Sequence, residues 1–86
     1  MYGITSQIRR AGISVPANIA EGQARNGRKE FLNFLGIARG SLAELETLII
    51  VSRNLEFLTK ENAETLLTDC EEITKLLAGL QRSLRT

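Results

Sequence analysis

The sequence predicts an all-α domain of three helices. Three stretches of the 86-residue chain repeat apolar residues at intervals of three and four, and no stretch shows the alternation expected of a strand. The connections between them, at residues 22–27 and 54–59, are too short to link separate domains. We therefore expect one domain over residues 1–86, of marginal stability, because a chain this small buries only about 60–65% of its unfolded surface.

The first predicted helix, about residues 5–24, contains a proline at position 16. Its apolar residues form two faces: Ile4, Ile8, Ala11, Val15 and Ile19 on one, and Ile13, Ala17, Ala20 and Ala24 on the other. We expect a helix kinked at Pro16, because proline cannot donate a hydrogen bond to the carbonyl of Gly12. Two shorter helices are the alternative, since Val15 precedes proline and is biased away from helical angles.

The second predicted helix, about residues 28–55, is apolar on more than one side. Its heptad seam consists of Phe31, Leu35, Ala38, Leu42, Leu45, Ile49 and Ser52. A neighbouring stripe consists of Phe34, Ile37, Ser41, Glu44, Leu48, Val51 and Leu55. This width predicts partners on two sides. Gly36, Gly40 and Ala43 either let another backbone approach closely or lie on a crowded core face.

The third predicted helix has the clearest pattern and both end signals. Its seam consists of Ala63, Leu66, Cys70, Ile73, Leu77, Leu80 and Leu84. Thr59 is placed to cap the first amides, and Leu58 to form a hydrophobic staple onto Ala63. Arg82 and Arg85 stand at the other end, where the helix dipole favours cations.

Composition excludes most enzyme chemistry. The chain has no histidine and one cysteine, so it cannot supply a Ser-His-Asp or Cys-His pair, a mixed-ligand zinc site or the Glu-x-x-His motif of a di-iron bundle. We therefore expect no enzyme, metal or cofactor. With no long apolar run, no membrane partner is expected, and the free cysteine suits a reducing cytoplasm. Cys70 is interpreted as a small buried hydrophobe.

Charge is unevenly distributed along the chain. The net charge is +1, but residues 1–29 hold five basic side chains against one acidic one. These five are Arg9, Arg10, Arg25, Arg28 and Lys29. They are candidate contacts to nucleic-acid phosphates, since polyanion binding depends on lysine and arginine. Ordinary solvated charge is the alternative interpretation, and no aromatic stacking platform accompanies the five residues.

Three carboxylates lie nearest to the apolar stripes: Glu21, Glu44 and Glu46. Glu44 falls inside a stripe, where a buried carboxylate needs a partner such as Asn18 or Arg39. An acid/base role would need a pocket and a third group, for which the sequence offers no candidate. A polar latch that sets the register of the bundle is the favoured interpretation.

Several segments carry a family resemblance. They are YGITSQIRRA at residues 2–11, SVPANIAEG at 14–22, KEFL at 29–32, ARGSLAELET at 38–47 and LTKE at 58–61. Together they resemble the four-helix bundle family encoded in 23S ribosomal RNA intervening sequences, over essentially the whole chain. The family motif falls on Ser14, Pro16, Asn18, Glu21 and Gly22, and on Glu44 and Glu46.

The resemblance implies an up-and-down bundle that assembles into a ring-shaped homopentamer and has no established enzymatic activity. It also implies that Asn18, Glu21, Glu44 and Glu46 form a polar set inside the bundle or at subunit contacts. A relative in the superfamily is the accessory protein of diversity-generating retroelements, a basic pentamer that binds nucleic acid and works with a reverse transcriptase. RNA, DNA and a reverse transcriptase are therefore candidate partners.

The chain departs from the family in two respects. Typical members have another helix before the Tyr-Gly position, whereas here Met1 stands directly before Tyr2. The three helices are thus expected to match the last three of four and to leave the wide apolar faces of the first and second helices exposed. A true start further upstream, a shortened chain or a neighbouring subunit would each account for this.

The second departure is the near-neutral charge. We therefore hypothesise a non-catalytic, self-associating bundle protein whose basic first third contacts RNA or DNA. The alternative is a protein-protein interaction module with no nucleic-acid binding.

Overall fold

The computed structural model describes residues 2–85, with side chains from residue 3 onward, and contains three α-helices. They are α1 (Tyr2–Ala24), α2 (Arg28–Asn54) and α3 (Lys60–Arg85). No strand occurs among these residues, so the predicted all-α class is confirmed. The helix α1 begins three residues before the predicted start, and α2 ends one residue before the predicted end.

The helix α1 runs without interruption through Pro16. The alternative of two shorter helices is therefore wrong. A Cβ added at Gly12 would meet nothing within 4 Å, so the backbone opposite Pro16 has open space beside it. A proline that removes one helical hydrogen bond is tolerated here because α1 stays packed against the core on both sides of it, through Val15 before the proline and Ile19 after it.

The three helices form one layer with α2 in the middle. Short connections make neighbours antiparallel, and side-chain bonds set their register: Ser14 Oγ lies 2.7 Å from Ser41 Oγ, and Arg39 Nη1 donates to Gln81 Oε1 at 2.8 Å. Within the described residues, no Cα of α1 lies within 8 Å of a Cα of α3. The Cα atoms span 43 × 22 × 12 Å. The prediction that α2 has partners on two sides is confirmed.

The core is a single cluster along α2. Its buried members are Val15, Leu35, Ala38, Leu42, Ile49, Ala63, Cys70 and Leu77. The predicted seam of α2 thus lies in the core. The predicted seam of α3 divides, because Ala63, Cys70 and Leu77 are buried whereas Leu66, Ile73 and Leu80 are exposed.

The connection between α2 and α3 is built from two capping motifs. The amide of Phe57 donates to the carbonyl of Ser52 at 2.8 Å, and that of Glu56 donates to Arg53 at 3.0 Å. This is a Schellman motif with Glu56 at φ 64°, in the left-handed region where glycine is usual. Thr59 Oγ1 then accepts from the Asn62 amide at 3.0 Å, which confirms the predicted N-cap.

Close helix contact occurs at Gly22. A Cβ there would lie 2.8 Å from Cβ of Phe34 and 2.9 Å from Cδ1 of Phe31. At Gly36 the nearest atom would be 3.9 Å away, and at Gly40 nothing lies within 4 Å. Within the chain, therefore, neither proposed reason for Gly36 and Gly40 applies, because both positions are exposed.

No helix among residues 2–85 combines the length and the apolar character needed to cross a membrane.

Candidate functional site

An apolar groove of about 510 Å³ runs between α1 and α3, with α2 as its floor. The helix α1 contributes Ile8, Ile13 and Pro16, α2 contributes Leu42, Leu45 and Ile49, and α3 contributes Leu66, Cys70 and Ile73. Arg9 on α1 and Asp69 on α3 are the charged side chains among the described lining residues. The groove exists because α1 and α3 pack on opposite sides of α2 and leave the space between them open.

The groove wall on α3 is part of a second heptad stripe, which continues beyond the groove to Leu80. Leu66, Asp69, Ile73, Leu76 and Leu80 follow one another at intervals of three and four. Leu76 is 73% exposed, and the other three leucine and isoleucine side chains are also exposed. This spacing is the one that lets a helix pack lengthwise against another helix. Leu66, Ile73 and Leu80 belong to the single seam that the sequence predicts for α3. The structure shows that they form the half of that seam that α2 leaves exposed.

On the α1 side, Ile13 is 60% exposed although it belongs to the second apolar face of that helix. The sequence analysis predicted that uncovered apolar faces would remain. It placed them on the first and second helices, where Ile13 on α1 and Ile37, Ile50 and Val51 on α2 are exposed. The exposed stripe of α3 was not predicted.

Cys70 belongs to the groove lining and to the core. Its burial, together with the nearby carboxylates of Glu46 and Asp69, raises the pKa of the thiol. All three effects favour the neutral form, so Cys70 is a poor nucleophile at neutral pH. It is a free thiol. The interpretation of Cys70 as a small buried hydrophobe agrees with this environment.

Among the described residues, no two members of the predicted polar set bond to each other. Asn18 Nδ2 donates to the carbonyl and hydroxyl oxygens of Ser14, at 2.8 and 2.9 Å, and Ser14 bonds to Ser41 on α2. Side-chain hydrogen bonds of this network thus connect α1 to α2. Glu21, by contrast, is exposed and does not join it.

Glu44 differs from expectation. It is exposed rather than buried in its stripe, and Arg39, its proposed partner, donates to Gln81 instead. The stripe turns away from both neighbouring helices at this point, so the carboxylate stays in water. Glu46 is half-buried, and its negative charge helps to raise the pKa of the Cys70 thiol. Contacts of these residues between subunits stay a prediction.

The five basic residues of the first third do not converge on one surface. Arg9 lies in the groove wall and Arg10 is exposed nearby. Arg25 directly follows the last residue of α1, fifteen residues after Arg10, which is about 22 Å at the helical rise. Arg28 and Lys29 are exposed in the first turn of α2.

Arg25 is also engaged locally. Its guanidinium lies 3.2 Å from Oε2 of Glu21 and 3.8 Å from Oε2 of Glu30, and its Cζ lies 5.2 Å from the centroid of the Phe34 ring. It is therefore less available to an external anion than Arg28 and Lys29.

Comparison with known proteins agrees with the sequence motifs and with the helical layer. Residues 1–79 match the family model described as 23S rRNA-intervening sequence protein. The chain belongs to this family. No curated protein matches it significantly.

One solved structure similar to the chain comes from Bacteroides thetaiotaomicron. It is described as a protein of unknown function from the S23 ribosomal protein family. The two chains are 35% identical and superpose with a TM-score of 0.88, over 91% of this chain and 72% of that chain. The superposition establishes that the three-helix arrangement also occurs in a protein described as belonging to the S23 ribosomal protein family.

Proposed function

We propose that this member of the 23S rRNA-intervening sequence protein family is a non-catalytic assembly protein that associates with further copies of itself through the groove. The observation that carries the proposal is the open apolar groove, which would be costly to leave in water. Fully burying a side chain such as leucine or isoleucine contributes about 1.5–3 kcal/mol, and the groove exposes several of them.

A second copy of the chain suits the groove for two reasons. Its own helices carry apolar stripes at heptad spacing, which is the geometry that the α3 stripe requires of a partner. A copy also supplies an arginine and an aspartate equivalent to Arg9 and Asp69, so each charge in the groove walls can meet its opposite. A ring of five copies is the assembly that the family resemblance implies.

Sedimentation velocity of the purified chain tests this proposal with three variants. Ile13→Glu and Ile73→Glu place a charge in the groove walls, at positions that are already exposed in the single chain. Ile37→Glu is the matched control, because Ile37 is exposed but lies about 140° around α2 from the groove floor at Leu42.

We expect the unaltered chain and Ile37→Glu to sediment as oligomers and the two groove variants as helical monomers. A folded, soluble monomer of the unaltered chain would contradict self-association. That result would favour an interaction module, or a groove filled by a preceding segment of a longer chain. Loss of assembly in Ile37→Glu alone would indicate that the copies associate through the face of α2 that carries Ile37 and not through the groove.

We further propose that basic side chains contact the phosphates of RNA or DNA without reading bases. Arg9, Arg10, Arg25, Arg28 and Lys29 are the residues proposed from the sequence. Support comes from Arg28 and Lys29, which are exposed and have no ion-pair partner among the described residues. Filter binding across a salt series tests this. Absence of binding at low salt would contradict it.

A further inference from the structure

The antiparallel packing sorts the charges of the chain by position along the layer. The end of α1, the start of α2 and the end of α3 lie at one end of the molecule. Six basic and two acidic residues lie in this half, against five basic and eight acidic in the other. Two of the six, Arg82 and Arg85, come from the last turns of the chain and join the basic residues of its first third only through folding.

Five of these residues surround the end of the seam between α2 and α3, and the two from the first turn of α2 lie beyond the last turn of α3. They are Arg28, Lys29, Arg39, Arg82 and Arg85, here called the basic strip. The bond from Arg39 to Gln81 sets the register of the two helices. Arg85 lies one turn beyond Gln81 on the same side of α3, and Arg28 lies eleven residues before Arg39, about 16 Å along α2 and within about 20° around it.

The acidic residues in this half do not neutralise the strip. Glu21 and Glu30 both pair with Arg25, which lies towards α1. Arg28, Lys29, Arg82 and Arg85 have no ion pair among residues 2–85. Four exposed positive charges are thus left in water at this end of the molecule.

Helix dipoles explain only part of this pattern. Arg82 and Arg85 occupy the last turn of α3, where a cation is favoured. Arg28 and Lys29 occupy the first turn of α2, where the dipole disfavours cations, and Gly27 provides no side-chain cap there. Their placement works against the stability of α2, so it calls for another explanation.

We propose that the basic strip is the surface that contacts the phosphate backbone of RNA or DNA, and that Arg9 and Arg10 are not part of it. This inference rests on the proposed nucleic-acid contact and assigns it to a surface that includes Arg39, Arg82 and Arg85. The strip is about 16 Å long, which corresponds to about five steps of 3.4 Å along one strand.

The surroundings of the strip favour a backbone contact over base readout or an acidic protein. Phe31 and Phe34 are half-buried, and Arg25 lies over the ring of Phe34, so no aromatic platform is offered to a base. Between Arg28 and Arg39, this side of α2 presents Leu32, which is half-buried, and Gly36. The apolar centre typical of a protein interface is therefore lacking.

The test measures binding of the full chain to a DNA duplex and to an RNA duplex across a salt series. Two strip variants are Arg28→Ala with Lys29→Ala, and Arg82→Ala with Arg85→Ala. The matched control is Arg10→Ala with Lys60→Ala, which removes the same charge at two exposed positions outside both the strip and the groove. Circular dichroism verifies that each variant is helical, and the two strip variants test separate helices, so a folding defect in one leaves the other informative.

We expect each strip variant to reduce the slope of log K against log salt by about 1.8 on duplex DNA, which corresponds to two lost phosphate contacts, and the control to leave it unchanged. The same order among the variants on duplex RNA supports the strip equally. If the salt slope changes in the control and not in the strip variants, the strip is not the binding surface, although the chain still binds nucleic acid. Absence of binding by the unaltered chain would overturn both, and competition by polyglutamate at equal charge would reassign the strip to acidic proteins.

Discussion

At the scale of single residues, Gly22 determines how closely α1 approaches α2. Gly22→Ala would place a methyl group 2.8 Å from Cβ of Phe34, a backbone-anchored atom that cannot rotate away. Overpacking of this kind costs about 1–3 kcal/mol, partly offset by a gain in helix propensity of about 1 kcal/mol. We expect a net loss of up to about 2 kcal/mol in the free energy of unfolding, measured by urea denaturation.

Gly40→Ala is the matched control for Gly22, because nothing lies within 4 Å of its added methyl group. Helix propensity alone then predicts a stabilisation of up to about 1 kcal/mol. Equal effects at the two glycines would contradict the close approach at Gly22.

Cys70 predicts a pH dependence at high pH. Burial, Glu46 and Asp69 raise the pKa of its thiol, so the folded protein retains a proton that the unfolded chain loses. The stabilisation is complete below the unfolded pKa of about 8.5 and declines as the pH rises from there through the folded pKa. Thermal melts between pH 7 and 10 should therefore show a larger loss for the unaltered chain than for Cys70→Ala. Equal losses of melting temperature in the unaltered chain and in Cys70→Ala would show that the thiol does not cause the pH dependence.

At the scale of elements, the α2–α3 connection is the least expected part of the fold. The apolar spacing predicted that α2 ends here, but the Schellman motif places Glu56, not glycine, at φ 64°. A non-glycine residue in this region is strained by about 1–2 kcal/mol. Glu56→Gly should therefore stabilise the protein by about 1 kcal/mol in thermal or urea unfolding. A destabilised variant would indicate that the Glu56 side chain makes a compensating contact.

Helix existence was predictable at this scale because apolar spacing and end signals are local properties. Thr59 as the N-cap of α3 is such a signal, and its bond to the Asn62 amide is present. The exposure of Glu44 was not predictable, because it depends on which sides of α2 the other two helices occupy. The division of the α3 seam into a buried and an exposed stripe has the same cause.

At the scale of the whole molecule, a flat layer with an open groove predicts that stability depends on concentration. If copies cover the groove, association stabilises the folded state by mass action, so the melting temperature should rise with protein concentration. Ile73→Glu should remove that dependence, whereas Ile37→Glu should retain it. A melting temperature independent of concentration in the unaltered chain would contradict assembly through the groove.

The sequence by itself determined the three helices, the absence of histidine-based chemistry and the family, because these depend on residue types and their spacing. Only the tertiary structure decided which apolar stripes are covered, since that depends on the angular positions of α1 and α3 around α2. It also decided where charge collects. Antiparallel packing brings Arg82 and Arg85 to the same end as Arg28 and Lys29 and leaves Arg9 in the groove wall, a grouping that distance along the chain conceals.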